Sequence, residues 1–538
     1  MVLTQLLTAV AEMLVPRRRR RAQLRARWGM PGEGDAARAG RYFALTRKLV
    51  DPSAVVDDKT WSDLEFPRLF RSLDTTLTPI GRQCLFRQLR TYEYDPEEIG
   101  RRHLAYAALA TNRALREDIQ LALAPLALDS AAYVADLLLG PEPEEIPLQH
   151  LVWPCMALAI IAIPIAIAHL APLWLCCVPF LINMLIARQV DPELGMSVMA
   201  LLDCGRLLGV AQRLAAIRAG DEVPHLRQLA SEAPLRRQLR LQIRSLAWFD
   251  TVRNSPFLGG LAVMADLFFL MRFALYERSI KRFRGNRTHW LSTFELMGAL
   301  DASIACAAFL QRYPQHCRPS VVAAADIRIE NGYHALIPQP VKNSITLTDR
   351  SALITGSNMT GKTTFIKMVA MNLILGHTLG VCLADRATLP RSAVRALIHG
   401  DQSVEAGKSR YFAEAEAIRE FIAEAAAGLC RVFILDEPYS GTNTVERIAV
   451  AKAVLRSIGE HAQVLVTTHD VELQHLLGSH FALYYFQEDP AVEGFFDHRL
   501  HEGLSTQRNA IRVLERLGYP DSVITEALAS VAAVGKGP

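Results

Sequence analysis

The nine cysteines of this 538-residue chain are scattered, and none forms a C-x-x-C pair. That absence excludes a zinc ribbon and a disulfide framework, and reads as reduced thiols in a cytosolic or membrane setting. An excess of either charge is also missing: the formal net is +4, and residues 1–50 alone hold eleven Lys/Arg against three acids, so the remainder is slightly acidic. A basic face running over the whole molecule is excluded, and any contact with nucleic acid has to be local. A third absence is the most informative. From Ile146 to Ala187, 42 residues pass without one Asp, Glu, Lys or Arg.

A membrane helix takes ~20 residues, so a charge-free run of this length predicts two, a transmembrane hairpin over 146–187 turning near His169 and Pro172. Segments of roughly 151–168 and 173–187 span ~27 and ~22 Å, the second short for an ~30 Å hydrocarbon core. Pro154, Pro164 and Pro179 are expected to kink them. A soluble helix shows a polar face, and here no face is charged. An even number of spans leaves both flanks on the same side. The later apolar run "PFLGGLAVMADLFFLMRFALYERS" is interrupted by Asp266 and Arg272 and reads as a buried core helix, with a further span as the alternative; "RSIKRFRGNR" reads as a solvated helix end. At the N-terminus "MVLTQLLTAVAEMLV" precedes "PRRRRRAQLRAR". The charges follow the apolar stretch, the reverse of a secretory signal. Two readings remain: an interfacial anchor on anionic lipid, or a packed helix with a solvated arginine tail.

Residues 51–324 repeat apolar positions at three- and four-residue steps and read as helical. From about 325, short β-rich runs ("NSITL", "SALIT", "RVFILDE", "AQVLVTTHD") alternate with helical stretches, the mark of a mostly parallel sheet. The expected class is α plus α/β: a basic segment 1–50, a helical region 51–324 containing the hairpin, and a P-loop domain 325–538.

"SALITGSNMTGKTTF" places Gly356, Gly361, Lys362 and Thr363 in the spacing G-x-x-x-x-G-K-[ST], after a strand and before a helix. Glycines allow a tight loop whose N–H groups point inward, and the helix N-terminus adds positive potential. Nucleotide binding is therefore expected from Gly356, Ser357, Asn358, Met359, Thr360, Gly361, Lys362, Thr363 and Thr364, with Lys362 reaching the β- and γ-phosphates of ATP. The strand "RVFILDEP" ends in two acids. Asp436, with Thr363, is the expected Mg²⁺ ligand, and Glu437 the group that orients or deprotonates the attacking water. His469, at the end of "AQVLVTTHD", is placed to sense the γ-phosphate.

These motifs, taken as "TGSNMTGKTTF", "DQSVEAGKSRYFAEAEAI", "LDEPYSGTNTVERIA" and "TTHDVEL" in that order, resemble the MutS family of DNA mismatch repair ATPases, whose P-loop domain is of ABC type. "LDTTLTPIGRQCLFRQLR" with "DPEEIGRRH" is similar to the start of that family's helical core and levers, and "GLSTQRNAIRVLERLGYPDSVITEAL" to its dimer-closing helical tail. The resemblance implies a homodimer in which Ser409 touches the partner's γ-phosphate and residues 440–444 lie at the same interface. It implies duplex DNA as a partner. Ser357 and Thr360 depart from the family's Pro and Gly. Only about 55 residues precede the core-like region, fewer than a mismatch-reading domain needs, and the apolar hairpin falls about where the family's levers carry a DNA clamp. Two expectations follow: a DNA-binding ATPase of mismatch-repair type tethered to membrane lipid, or a membrane-embedded MutS-type ATPase with a role other than repair and no mismatch recognition. Both place the chain in a bacterial cytoplasmic membrane, with the ATPase domain in the cytosol.

Overall fold

The computed structural model describes residues 17–140, 149–170, 172–218, 222–357, 360–398, 410–487, 496–504 and 518–534. Two compact units emerge. The first comprises residues up to Val50, Phe70–Gln88 and Pro96–Arg312; the second comprises Asp51–Leu69, Leu89–Asp95 and Tyr313 onward. The expected boundary near 325 thus falls at 313, and two stretches assigned to the helical region belong to the P-loop unit.

The described part of the first unit is helical. Its principal helices are α1 Arg17–Arg27, α2 Pro79–Arg90, α3 Arg113–Leu123, α4 Gln149–Ile167, α5 Leu173–Ala215, α6 Ala233–Gln242, α7 Arg244–Arg253, α8 Gly259–Phe269, α9 Met271–Arg284 and α10 Arg287–Arg312. Helix α10 is long and apolar, yet it is the core's spine, with Trp290, Phe294, Met297, Leu300, Ile304 and Phe309 all buried. It meets α2 at close range because two glycines permit it. A Cβ at Gly81 would sit 2.2 Å from the Asp301 carboxylate, and one at Gly298 would sit 2.2 Å from the Cys84 sulfur. Asp301 accepts from the Leu77 amide (3.1 Å), the Thr78 amide (2.8 Å) and the Thr78 hydroxyl (2.7 Å), so a residue on α10 caps the N-terminus of α2. Helix α1 is tied to α3 while its arginines stay largely solvent-exposed: Arg21 pairs with Asp118 at 2.5 Å and Arg25 with the buried Glu117 at 2.7 Å, both on α3. The Arg25 hydrogen bond holds the Glu117 carboxyl down to about 2. The apolar residues before α1 lie outside the described residues.

The charge-free run folds as a helical hairpin, α4 followed by α5, turning through His169 in the left-handed region (φ 52°). Pro154 and Pro164 sit inside α4, and α5 continues well beyond the run to Ala215, ~65 Å in all. Small residues Ala159 and Ala162 of α4 are buried, while Ile161, Ile167, Leu170, Trp174, Leu181 and Leu185 face outward. Helix α8 corrects the expectation of a buried core helix. Phe257 is 92% exposed, and Leu258, Leu261 and Met264 continue the same outward stripe at helical spacing. Its other side packs on α5, where Phe180 lies edge-on to Phe268 and Phe269, and buried Asn183 donates to the Phe268 carbonyl at 2.5 Å. The interruption misread as core is a bend: α8 and α9 turn by 78° at Leu270, which adopts φ 49°.

The second unit holds two sheets. The larger has the order β10-β9-β4-β8-β7-β6, with β4 Ser351–Thr355, β6 Val394–Leu397, β7 Val432–Asp436, β8 Gln463–Thr468 and β9 Phe481–Tyr485 parallel and β10 His501–Glu502 antiparallel. The smaller has the order β1-β5-β2-β3, built from β1 Ser320–Val322, β2 Asp326–Gly332, β3 Asn343–Thr348 and β5 Arg386–Pro390. Every residue of β4, β7 and β8 is buried, as expected of parallel strands covered on both faces. The covering helices include α11 Lys362–Thr378, α12 Arg410–Ala426 and α13 Thr444–Gly459; α14 Asp521–Val534 ends the described chain.

The two upstream stretches seal the sheet's edge at β6. The amide of Val394 donates to the Tyr92 hydroxyl (3.1 Å), that of Ala396 to Thr60 (2.9 Å) and that of Ile398 to Asp63 (2.9 Å). Three donors that an open edge strand would offer to another chain are satisfied within this unit. Arg395 fixes the register through Asp57 (3.1 Å) and Glu424 (2.8 Å).

Burial raises Asp301 to about 6, against the opposing hydrogen bonds of Thr78 and Leu77. Its protonated form is favoured by the fold, so its contribution to stability is full below the ordinary carboxylate range and is lost as pH rises through about 6. Thermal unfolding followed between pH 4 and 7 is expected to show this decline, and Asp301→Asn to flatten it; an unchanged slope in the variant would remove Asp301 as its source.

Candidate nucleotide site

Three parallel strands deliver the chemistry to one edge of the large sheet. β4 leads into the glycine loop, β7 ends at Asp436, and β8 lies between them and ends at Thr468, so that Thr355 pairs with Thr468 and Asp436 with Thr467. In open α/β sheets ligands bind outside the carboxyl ends of the strands. Gly356 (φ 151°) and Gly361 (φ 107°) take backbone conformations closed to side chains without strain, and a Cβ at Gly356 would meet the Phe486 carbonyl at 2.8 Å. Gly361 is the cap from which α11 starts, placing that helix's N-terminal amides at the loop.

Lys362 is buried and its ammonium folds onto the loop itself, donating to the carbonyls of Gly356 (2.8 Å) and Ser357 (2.9 Å), with Glu437 at 3.7 Å. Burial lowers its pKa, and the carboxylates of Glu437 and Asp436 oppose that shift. Thr363 donates to Asp436 at 2.8 Å, and Thr467 donates to the other oxygen of the same carboxylate. A carboxylate and a hydroxyl in contact are hard oxygen donors of the kind that hold Mg²⁺. His469 bridges the Gly356 carbonyl (2.9 Å from Nδ1) and the Glu437 carboxylate (2.5 Å from Nε2). Lys362, Thr363, Asp436, Glu437 and His469 are therefore one constellation. Thr360 closes the loop by donating to the Ser357 carbonyl. Thr364 lines an adjoining cavity. Asn358, Met359 and Ser409 lie outside the described residues.

Several functional residues carried no sequence signal. Glu437 sits at φ 45° and Tyr439 at φ 65°, a strained turn for residues with side chains. Two devices hold it. The Glu437 amide donates to the Thr467 carbonyl and hydroxyl, each at 3.1 Å, and the Tyr439 amide donates to buried Glu414 of α12 at 2.5 Å. Arg447 of α13 grips Asp470 with two bonds of 2.8 and 2.6 Å, fixing the residue after His469. A cavity of about 330 Å³ opens beside the start of α11, between Ile337, Val341 and His334 on one wall and Lys362, Phe365 and Met368 on the other. His498 closes it, holding the Thr360 carbonyl at 3.0 Å. These residues come from separate helices, strands and loops, and only the fold brings them together.

Thr467 touches both the Asp436 carboxylate and the Glu437 amide. Thr467→Val keeps its shape and is expected to cost about 1–3 kcal/mol in chemical denaturation, because two buried polar groups lose a partner. A cost near zero would show that the hydroxyl holds neither.

Residues 352–534 match the family MutS domain V. The DNA mismatch repair protein MutS of Natronomonas pharaonis is 29% identical over 247 residues, covering 44% of this chain and 28% of that protein. Its counterpart from Exiguobacterium sp. is 30% identical over 248 residues, covering 43% and 28%, and that from Aquifex pyrophilus 29% over 244 residues, covering 43% and 28%. The match therefore spans little more than a quarter of each relative. Through residues 352–534, which carry this loop, strand and histidine constellation, the chain is similar to the MutS family.

Proposed function

We propose that this chain binds and hydrolyses ATP and is anchored in a membrane by its apolar helices. The observation that carries the ATPase reading is the convergence of Lys362, Thr363, Asp436, Glu437 and His469 at the ends of adjacent strands. Lys362 exchanges the carbonyls of Gly356 and Ser357 for phosphate oxygens and stabilises the charge that grows on them. The α11 N-terminus and loop amides add to that stabilisation. Glu437 orients the attacking water and accepts its proton. His469, in contact with Glu437, keeps that carboxylate facing the loop and lies beside the γ-phosphate. Thr363 and Asp436 would hold Mg²⁺, which supplies charge neutralisation on the phosphates. The cavity bounded by Ile337, Val341 and His498 is the place for the base and sugar. Dimerisation through Ser409 and the C-terminal helices, by analogy with the family, would complete the site in trans.

The membrane reading rests on the outward apolar faces of α4, α5 and α8. The window 150–167 has a mean hydropathy of 2.1, with 17% of it buried in the protein. Its ~27 Å approaches the ~30 Å hydrocarbon core. The named relatives support a DNA-binding role of mismatch-repair type. The apolar head favours the second reading, a MutS-type engine working at a membrane on a task other than repair.

Glu437→Gln is expected to bind ATP with near wild-type affinity while turnover falls ~10²–10⁴-fold, the range for loss of a general base; near-normal turnover would remove Glu437 from that role. Wild-type protein is expected to stay in the membrane pellet after carbonate extraction and a 146–187 deletion to be released, whereas soluble wild-type protein would refute the anchor.

A further inference from the structure

Beyond the oily head, the first unit contains a groove of about 1250 Å³ between the distal half of α5 and the pair α6–α7. Its walls present Arg206 and Arg213 from α5, and Arg237, Arg240 and Arg244 from the opposite side. All five are solvent-exposed. Arg206 and Arg213 are two turns apart, ~10.5 Å on one face of α5, while Arg237 and Arg240 sit on α6 and Arg244 opens α7. Two acids lie near them: Arg206 pairs with Asp203 (2.5 Å), and Asp250 also lines the groove, while Arg240 donates to Gln212 (3.0 Å). Among the described residues no carboxylate pairs with Arg213, Arg237, Arg240 or Arg244. Partial burial, and after it the neighbouring Arg240, lower the Arg213 pKa. Two apolar side chains interleave with the basic row: Leu241 lies between Arg237 and Arg244, and Trp248, 66% exposed, lies one turn beyond.

We propose that this groove binds a single strand of nucleic acid, its phosphates on the arginine rows and its bases against Trp248 and Leu241. Three considerations select this occupant. The volume exceeds the ~300–1,000 Å³ of pockets that enclose small molecules. The floor from Leu202 to Arg213 runs ~17 Å, long enough for a short run of phosphates to lie against the arginine rows. Grooves for single strands pair a basic track with exposed aromatic rings, because unpaired bases can stack on them while those of a duplex cannot. Lipid headgroups are disfavoured by distance. Arg188 ends the charge-free run, and Leu202 lies 14 residues further along α5, ~21 Å away and still ~16 Å at a 40° tilt, against a Debye length of ~8 Å. The proposal is independent of the ATPase reading, since no groove residue belongs to the nucleotide site.

The test is fluorescence anisotropy of a labelled oligothymidylate of about fifteen nucleotides on full-length protein in detergent, beside a duplex of equal length and vesicles of equal parts phosphatidylglycerol and phosphatidylcholine. Wild-type protein is expected to prefer the single strand, with a log–log salt slope near −3 for about four or five contacts. The triple variant R237Q/R240Q/R244Q is expected to bind at least ~30-fold more weakly and to lose about 2 from the slope. Trp248→Ala is expected to weaken binding ~10-fold with the slope unchanged. Gln238→Glu, which adds an acid to the groove and removes no arginine, is expected to weaken it ~5-fold, keeping the test valid if the triple variant folds poorly. ATP turnover serves as the folding control in each, and its failure in wild type would bear on the ATPase reading alone. Tighter binding to the duplex, loss of vesicle binding rather than oligonucleotide binding in the triple variant, or unchanged affinity in the variants would overturn the proposal.

Discussion

The carboxylate of Asp436 joins the first turn of α11 to the middle of the large sheet. One oxygen takes the Thr363 hydroxyl at the start of α11, and the other takes the Thr467 hydroxyl on β8. A buried carboxylate is costly unless its lone pairs are met, so this pairing fixes where the helix starts relative to β7 and β8. Everything else at the site inherits that placement. Lys362 precedes Thr363, Glu437 follows Asp436, and His469 closes the far side of the loop against both. The strained turn at Glu437 and Tyr439 persists because Thr467 and Glu414 hold both of its amides.

How much of this was legible in the sequence depends on range. The loop, the acid pair and the strand-end histidine are contiguous motifs whose spacing carries geometric meaning, and the structure brings their described members together as one cluster. The parallel strands were legible too, since the centres of SALIT and VFILD are unbroken apolar runs. Contacts between distant segments left no trace in pattern. Thr60, Asp63 and Tyr92 look like ordinary helix and loop residues, yet they cap the β6 edge from some three hundred residues upstream. Glu414 sat within a quoted motif without a role, and the Arg447–Asp470 grip is a pairing of two unremarkable charges. Helix α8 failed for another reason. Asp266 and Arg272 suggested a soluble core, but they mark a bend: the Arg272 amide donates to Asp266 at 2.9 Å, so the acid serves the turn into α9 and leaves the stripe from Phe257 to Met264 outward.

Helix α5 gives the first unit its polarity. Its first turns share an apolar surface with α4 and α8, while its last turns supply one wall of an arginine groove. One continuous helix of ~65 Å thus carries a lipid-compatible end and a phosphate-compatible end, separated by more than two Debye lengths. A modest net charge of +4 conceals this arrangement, because basic residues gathered in one groove are balanced by acids spread elsewhere.

The central claim, that the Asp436–Thr363 pair organises a Mg²⁺-dependent nucleotide site, is tested most directly by equilibrium ATP binding with and without Mg²⁺ in wild type and in Asp436→Asn. Wild-type affinity should rise at least ~10-fold, about 1.4 kcal/mol, when the cation is present, and the variant should show little of that gain. An equal gain in both proteins would contradict the account.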